Sequence, residues 1–338
     1  MLVSQPKRIF ISTGEVSGDL QASYLASELL AQRPELKLYG VGGQRMAELG
    51  IPLVGDTTTI GSIGVFEALP FIVPTLKIQS KLWPYLRRNR PDLVVLVDYI
   101  GVNVPLGRLA KRLGIPVVYY IAPQEWVWRT FRNDTARIVA FAELILAVFP
   151  EEARYFERNG GKVQWIGHPL TDIVRPSQSR NAFRARMDIP EDTPVVVLAP
   201  ASRVQEIEHL MPTLFETARS IQAVMPRVRF WIVLSTARFR EPLENAACKY
   251  GLNFQFVPEG DNYNALAAAD LLLTKSGTIN LEAALLELPQ VVAYRVNPKT
   301  FWIAKNLTNF KIPYMSPVNL VDMSPVVPEF LQEQATVE

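Results

Sequence analysis

At 338 residues, the chain is long enough for about two domains of roughly 150 residues, each able to bury a core. A hydrophobic fraction of 49% against a charged fraction of 20% excludes a disordered chain. Lysine and arginine total 35 against 33 acids, and the resulting +2 gives no reason to expect nucleic acid as a partner. One cysteine, Cys248, makes no intramolecular disulfide, and His168 and His209 share no recognised zinc spacing with it. A reducing cytoplasmic location is expected. No secretory signal is visible, and no uncharged apolar run reaches the ~18 residues of a membrane span.

In chain order, Arg8–Ser12 predicts a strand that ends at Gly14, followed by a helix from about Ser17 to Ala31 that stops before Pro34. Lys37–Gly40 predicts a second strand. Asp92–Val97, Ile115–Ile121 and Glu143–Val148 are continuous apolar runs without alternation, with a helix near Pro105–Leu113 between the first two. Such runs are buried strands of a parallel sheet. Between Gly167 and Thr193 the composition turns to Pro, Ser and charge, which is read as a linker carrying a short helix. The rhythm then restarts with a strand at Pro194–Pro200 and a helix from about Gln205 to Met225. Strands follow at Arg229–Leu234, Leu252–Val257, Asp270–Thr274 and Gln290–Tyr294. The expectation is an α/β protein of two Rossmann-like domains facing a cleft, residues 1–168 and 194–338, with 169–193 as linker.

In such sheets ligands sit outside the carboxyl ends of the strands. Neither Gly14-Glu-Val-Ser-Gly-Asp19 nor Gly40-Val-Gly-Gly43 has dinucleotide spacing, and no Walker A pattern occurs, which disfavours NAD and ATP. Ser276-Gly277-Thr278 lies between a strand and a helix, so it is either a diphosphate cradle or an ordinary helix start. Glu282, one turn on, suits ribose hydroxyls or the helix dipole. Ala201-Ser202-Arg203 follows another strand; Arg203 is either a phosphate fork or a surface partner of Glu206 or Glu208. Asp98 ends an apolar strand, which suits proton transfer, with helix capping as the competing role. Three segments join aromatic and aliphatic residues to bases: Phe66–Leu76 running into Lys77, Lys81, Arg87, Arg88 and Arg90; Trp126–Arg132; and Phe301-Trp302 with Lys305 and Lys311. They fit either an anionic lipid surface or buried pairs with solvated ends.

These segments, with Ile63–Glu67, Gly167-His168-Pro169 and Tyr294-Arg295, stand in the order found in the lipid-A-disaccharide synthases, which the chain resembles over nearly its whole length. The resemblance implies a GT-B fold and an inverting glycosyltransferase. Such an enzyme moves 2,3-diacylglucosamine from its UDP derivative to 2,3-diacylglucosamine 1-phosphate, without cofactor or metal, at the cytoplasmic face of the inner membrane. It implies Asp98 as general base and Arg203 with Ser276–Thr278 on the diphosphate. Glu282 and Asn319 would lie on the ribose and base side, and Glu15 and Ser17 on the acceptor side. Asn103, Ser202 and Glu206 are carried along as substrate-binding positions of the matched motifs. Against the family's pattern, Ala201 replaces a glycine, Gly101 an acid, and Glu125 falls in a loop expected to be apolar. Family members continue through helices that exchange in a dimer, whereas this sequence stops at Glu338, so a homodimer stays open. Two alternatives remain: a UDP-sugar transferase with another lipid acceptor, and a non-catalytic UDP-sugar or lipid-binding homologue.

Overall fold

The computed structural model describes residues 7–57, 72–127, 134–295 and 314–337, which form two compact units meeting in sequence at Pro169 and Leu170. The first unit is built on seven strands: β1 (Arg8–Ser12), β2 (Lys37–Gly42), β3 (Leu53–Asp56), β4 (Leu93–Val97), β5 (Val117–Tyr120), β6 (Leu144–Ala147) and β7 (Val163–Trp165). Their order is β3-β2-β1-β4-β5-β6-β7, and every pairing is parallel. Helices α1 (Val16–Gln32), α2 (Gln44–Glu48), α3 (Ile72–Arg88), α4 (Ile100–Arg112), α5 (Asp134–Phe141) and α6 (Pro150–Arg158) connect them. The central strands read as continuous apolar runs because helices cover both of their faces. Phe10, Leu96, Val117 and Tyr119 are fully buried among residues of α3, α4 and α5.

The second unit repeats the plan with α7 (Leu170–Ile173), α8 (Arg180–Arg186), β8 (Val195–Ala199), α9 (Val204–His209), α10 (Met211–Val224), β9 (Arg229–Ile232), α11 (Arg240–Lys249), β10 (Phe254–Phe256), α12 (Asn262–Ala268), β11 (Leu271–Lys275), α13 (Thr278–Leu285), β12 (Gln290–Tyr294), α14 (Pro317–Asp322) and β13 (Glu329–Leu331). The sheet order is β10-β9-β8-β11-β12-β13, again all parallel. The switch in strand order falls between β8 and β11 here and between β1 and β4 in the first unit, and such points are where ligands gather in open α/β sheets.

Two expectations need revising. The stretch 169–193 carries two helices that belong to the second unit. Phe183 on α8 is fully buried edge-on against Trp231, their ring centroids 5.3 Å apart. Arg184 beside it is 1% exposed, donates to the carbonyls of Ala268, Glu191 and Thr193, and pairs with Asp270 at 2.8 Å. The single helix expected over 205–225 is two, broken at Leu210. Pro212 enters the first turn of α10, where its missing N–H costs nothing, and cannot continue α9.

Candidate active site

The carboxyl edge of the first sheet is built on backbone that few residues adopt. Asp98, Tyr99 and Ile121 follow β4 and β5 with φ of 51°, 41° and 55°. Left-handed non-glycine residues cost on the order of 1–3 kcal/mol each and persist where neighbours over-determine them. Here the neighbours are explicit. The Asp98 N–H donates to the Ile121 carbonyl at 3.0 Å. The Asp98 carbonyl accepts from Asn103 Nδ2 at 2.7 Å and from the Tyr119 hydroxyl at 2.9 Å. Asn103 is fully buried, donates also to the Val97 carbonyl, and accepts from Ser12 Oγ at 2.6 Å. Its side-chain amide is thus committed to holding the Asp98 turn. Gly101 makes room for Tyr99: a Cβ there would stand 2.8 Å from the Tyr99 hydroxyl.

A second carboxyl group braces the same edge. Glu152 on α6 is buried, and it accepts the N–H of Ala122 at 2.9 Å, of Val148 at 2.9 Å and of Phe149 at 3.2 Å. Burial pushes its pKa up to about 7 against the pull of those donors, with Asp98 adding to the rise. Glu125 is likewise buried, in the turn that carries Trp126, whose ring packs 5.7 Å from Phe149. Phe149 in turn meets His168 at 5.6 Å, and burial lowers the His168 pKa to about 4, so this imidazole is neutral. Glu15 is half-buried at the start of α1 and Ser17 is exposed on its first turn. Asp19, one turn further, is buried and accepts the N–H groups of Gly43 and Arg45, which ties the end of β2 and the start of α2 to α1.

The corresponding edge of the second sheet is dominated by cations and helix starts. After β8 the chain turns through Ser202 and Arg203 into α9. Buried Glu206 accepts the N–H of Ser202 at 2.6 Å and of Arg203 at 3.0 Å, along with the Ser202 hydroxyl at 3.2 Å. Glu206 is therefore the cap of its own helix. Its other oxygen lies 3.7 Å from Arg203 Nη1 and 3.8 Å from Lys275 Nζ. At the end of β11, the Ser276 hydroxyl donates to the Met315 carbonyl at 2.6 Å and the Gly277 N–H to Asn280 Oδ1 at 2.8 Å, and Thr278 opens α13. Burial raises the Glu282 pKa to about 7, partly offset by a hydrogen bond from Tyr263. Asn319 is fully buried: its Nδ2 donates to the Val327 carbonyl and to Glu329, and its Oδ1 accepts the Val327 N–H at 2.8 Å.

The second edge thus gathers Ser202, Arg203, Glu206, Ser276 and Gly277 around Lys275, while Asp98 and Asn103 sit on the first edge. The Asn103 and Asn319 amides and the Glu206 carboxylate serve the frame. Lys275 and Glu152 were missed from sequence. A lysine closing an apolar strand just before Ser276-Gly277-Thr278 is a signal for the first, and the Phe149-Pro150-Glu-Glu152 helix start a signal for the second. Among the described residues no group of His, Cys, Asp or Glu is arranged to hold a metal ion. The motif at 63–67 and the aromatic–basic residues Phe66, Phe301, Trp302, Lys305 and Lys311 lie outside the described residues.

A family model described as lipid-A-disaccharide synthetase matches residues 9–338. The chain belongs to that family. Among its relatives, the lipid-A-disaccharide synthase of Gloeothece citriformis is 47% identical over 337 residues, spanning 98% of this chain and 88% of that protein. The enzyme of the same name from Synechocystis is 43% identical over 336 residues, 97% and 85% of the two chains. Among solved structures, the UDP-GlcNAc 2-epimerase of Neisseria meningitidis bound to UDP-GlcNAc superposes with a TM-score of 0.63 at 14% identity, covering 94% of this chain and 90% of that one. A glycotransferase of kitacinnamycin gives 0.55 at 16%, covering 94% and 89%. These likenesses establish the two-sheet, GT-B type of fold for this family member.

Proposed function

We propose that this chain is an inverting glycosyltransferase that transfers 2,3-diacylglucosamine from its UDP derivative to 2,3-diacylglucosamine 1-phosphate. The products are the β(1→6) disaccharide 1-phosphate and UDP. The observation that carries the reading is Asp98: a half-exposed carboxylate on a strained turn at the switch point of the first sheet, fixed through its carbonyl by Asn103 and Tyr119. The acceptor 6-hydroxyl gives its proton to Asp98 as its oxygen bonds to the donor's anomeric carbon. The bond from that carbon to the diphosphate oxygen breaks, and its electron pair leaves with UDP. Arg203 takes up the charge that develops on the leaving diphosphate, beside the Ser276–Thr278 helix start. Glu282 accepts from the ribose hydroxyls, and Glu15 and Ser17 face the acceptor.

The acyl chains of both substrates call for contact with a bilayer, and α3 offers a surface for it. Val73, Leu76 and Trp83 are exposed on this helix beside Lys77, Lys81, Arg87 and Arg88. Apolar groups interleaved with bases suit peripheral docking on anionic lipid at the cytoplasmic face of the inner membrane. Among the described residues no helix is long and apolar enough to cross a membrane.

The test is transfer between the two diacylglucosamine substrates in detergent micelles with EDTA present. Disaccharide and UDP in equal amounts are expected. UDP binding without disaccharide would move the reading to another lipid acceptor, and loss of UDP binding would overturn it.

A further inference from the structure

Among the described residues, Lys275 is a buried cation on the second unit's carboxyl edge that the mechanism above leaves without a task. It ends a strand whose preceding residues are Leu271, Leu272, Leu273 and Thr274, and only 11% of its side chain is exposed. A buried ammonium is costly unless it is paired and hydrogen-bonded. Its Nζ donates to the Ser276 carbonyl at 3.0 Å and stands 3.8 Å from Glu206 Oε1. The same oxygen faces Arg203 at 3.7 Å. One carboxylate therefore gathers two cations from two separate strand ends at the switch point.

The ammonium lies over Gly277. A Cβ on that residue would lie 2.6 Å from Lys275 Nζ, while its φ of 165° is extended backbone open to any residue. The ammonium occupies the space a side chain at 277 would take, at the start of α13. A cation at the positive end of a helix dipole opposes the usual preference for anions there. Two cations on one carboxylate beside a helix start make a set of groups that a polyanion rewards.

We propose that Lys275 is a diphosphate-binding residue: its ammonium, aimed over Gly277 by Glu206 and the Ser276 carbonyl, contacts the UDP phosphates together with Arg203. This rests on the reading that the second unit binds UDP. Equilibrium binding of UDP and of uridine, which lacks the phosphates, separates the possibilities. Lys275→Met should weaken UDP roughly ten- to hundred-fold, the range of a lost charge-assisted hydrogen bond, and leave uridine unchanged. Lys275→Arg should recover part of the loss. Gly277→Ala, which displaces the ammonium and keeps its charge, should weaken UDP as well. UDP affinity within twofold of the unaltered protein in Lys275→Met would overturn the proposal, as would equal losses for UDP and uridine. Absence of UDP binding in the unaltered protein would instead bring down the nucleotide reading, and this role with it.

Discussion

The two sheets share a plan and differ in what they present at their carboxyl ends. The first places Asp98, Glu125 and Glu152 there, with left-handed residues after two of its strands and with two of the carboxyl groups buried. The second places Arg203 and Lys275 around one carboxylate, beside a helix start and with ordinary backbone in the turns after β8 and β11. The contrast is one of chemistry. On the proposed reading, backbone strain positions Asp98 for a proton, while charge and a helix dipole suit the second edge to an anion.

Variants can break that division of labour. The largest effect is expected from Asp98→Asn, which should lower kcat about 10²- to 10⁴-fold with UDP affinity nearly unchanged. Equal losses in both would remove Asp98 from the base role. Arg203→Ala should act on the other edge, weakening UDP roughly ten- to hundred-fold in direct binding; unchanged binding would detach it from the diphosphate. Asn319→Ala sharpens the line between frame and ligand contacts, because it strips partners from Val327 and Glu329. A loss of about 1–3 kcal/mol in chemical denaturation is expected, larger than its effect on UDP affinity in the folded protein. The smallest effect concerns pH. Burial has raised Glu282 to about 7, and its ionised form is the better acceptor for ribose hydroxyls. Uridine binding should therefore tighten several-fold as pH rises from about 6 to 8, and Glu282→Gln should flatten the profile.

Much of this was legible from residue order alone. Runs such as Leu93–Val97 and Val195–Ala199 announce buried parallel strands, and the residues that end them announce chemistry. The short edge strands β3, β7 and β13 were not legible. Leu53–Asp56 contains a glycine and an acid, Val163–Trp165 is largely exposed, and Glu329–Leu331 has no apolar run, so their pairing is supplied by the neighbouring strand. The segment around Phe183 and Arg184 looked like a linker because composition reports only local preference. Its partners Trp231, Ala268 and Asp270 come from distant parts of the chain. The same reason hid the duties of Asn103, Glu206 and Asn319. Residue type shows what a side chain can bond and leaves open which way it faces. Lys275 was obscured because a single lysine in an apolar strand reads as its solvated end.

The central claim is that the nucleotide is held by the second unit's edge and the proton by the first. Amide hydrogen exchange with and without UDP tests it most directly. UDP is expected to slow exchange in peptides covering 199–210 and 274–285, and to leave those covering 94–104 and 119–127 unchanged. Protection confined to the first unit's peptides would contradict the assignment.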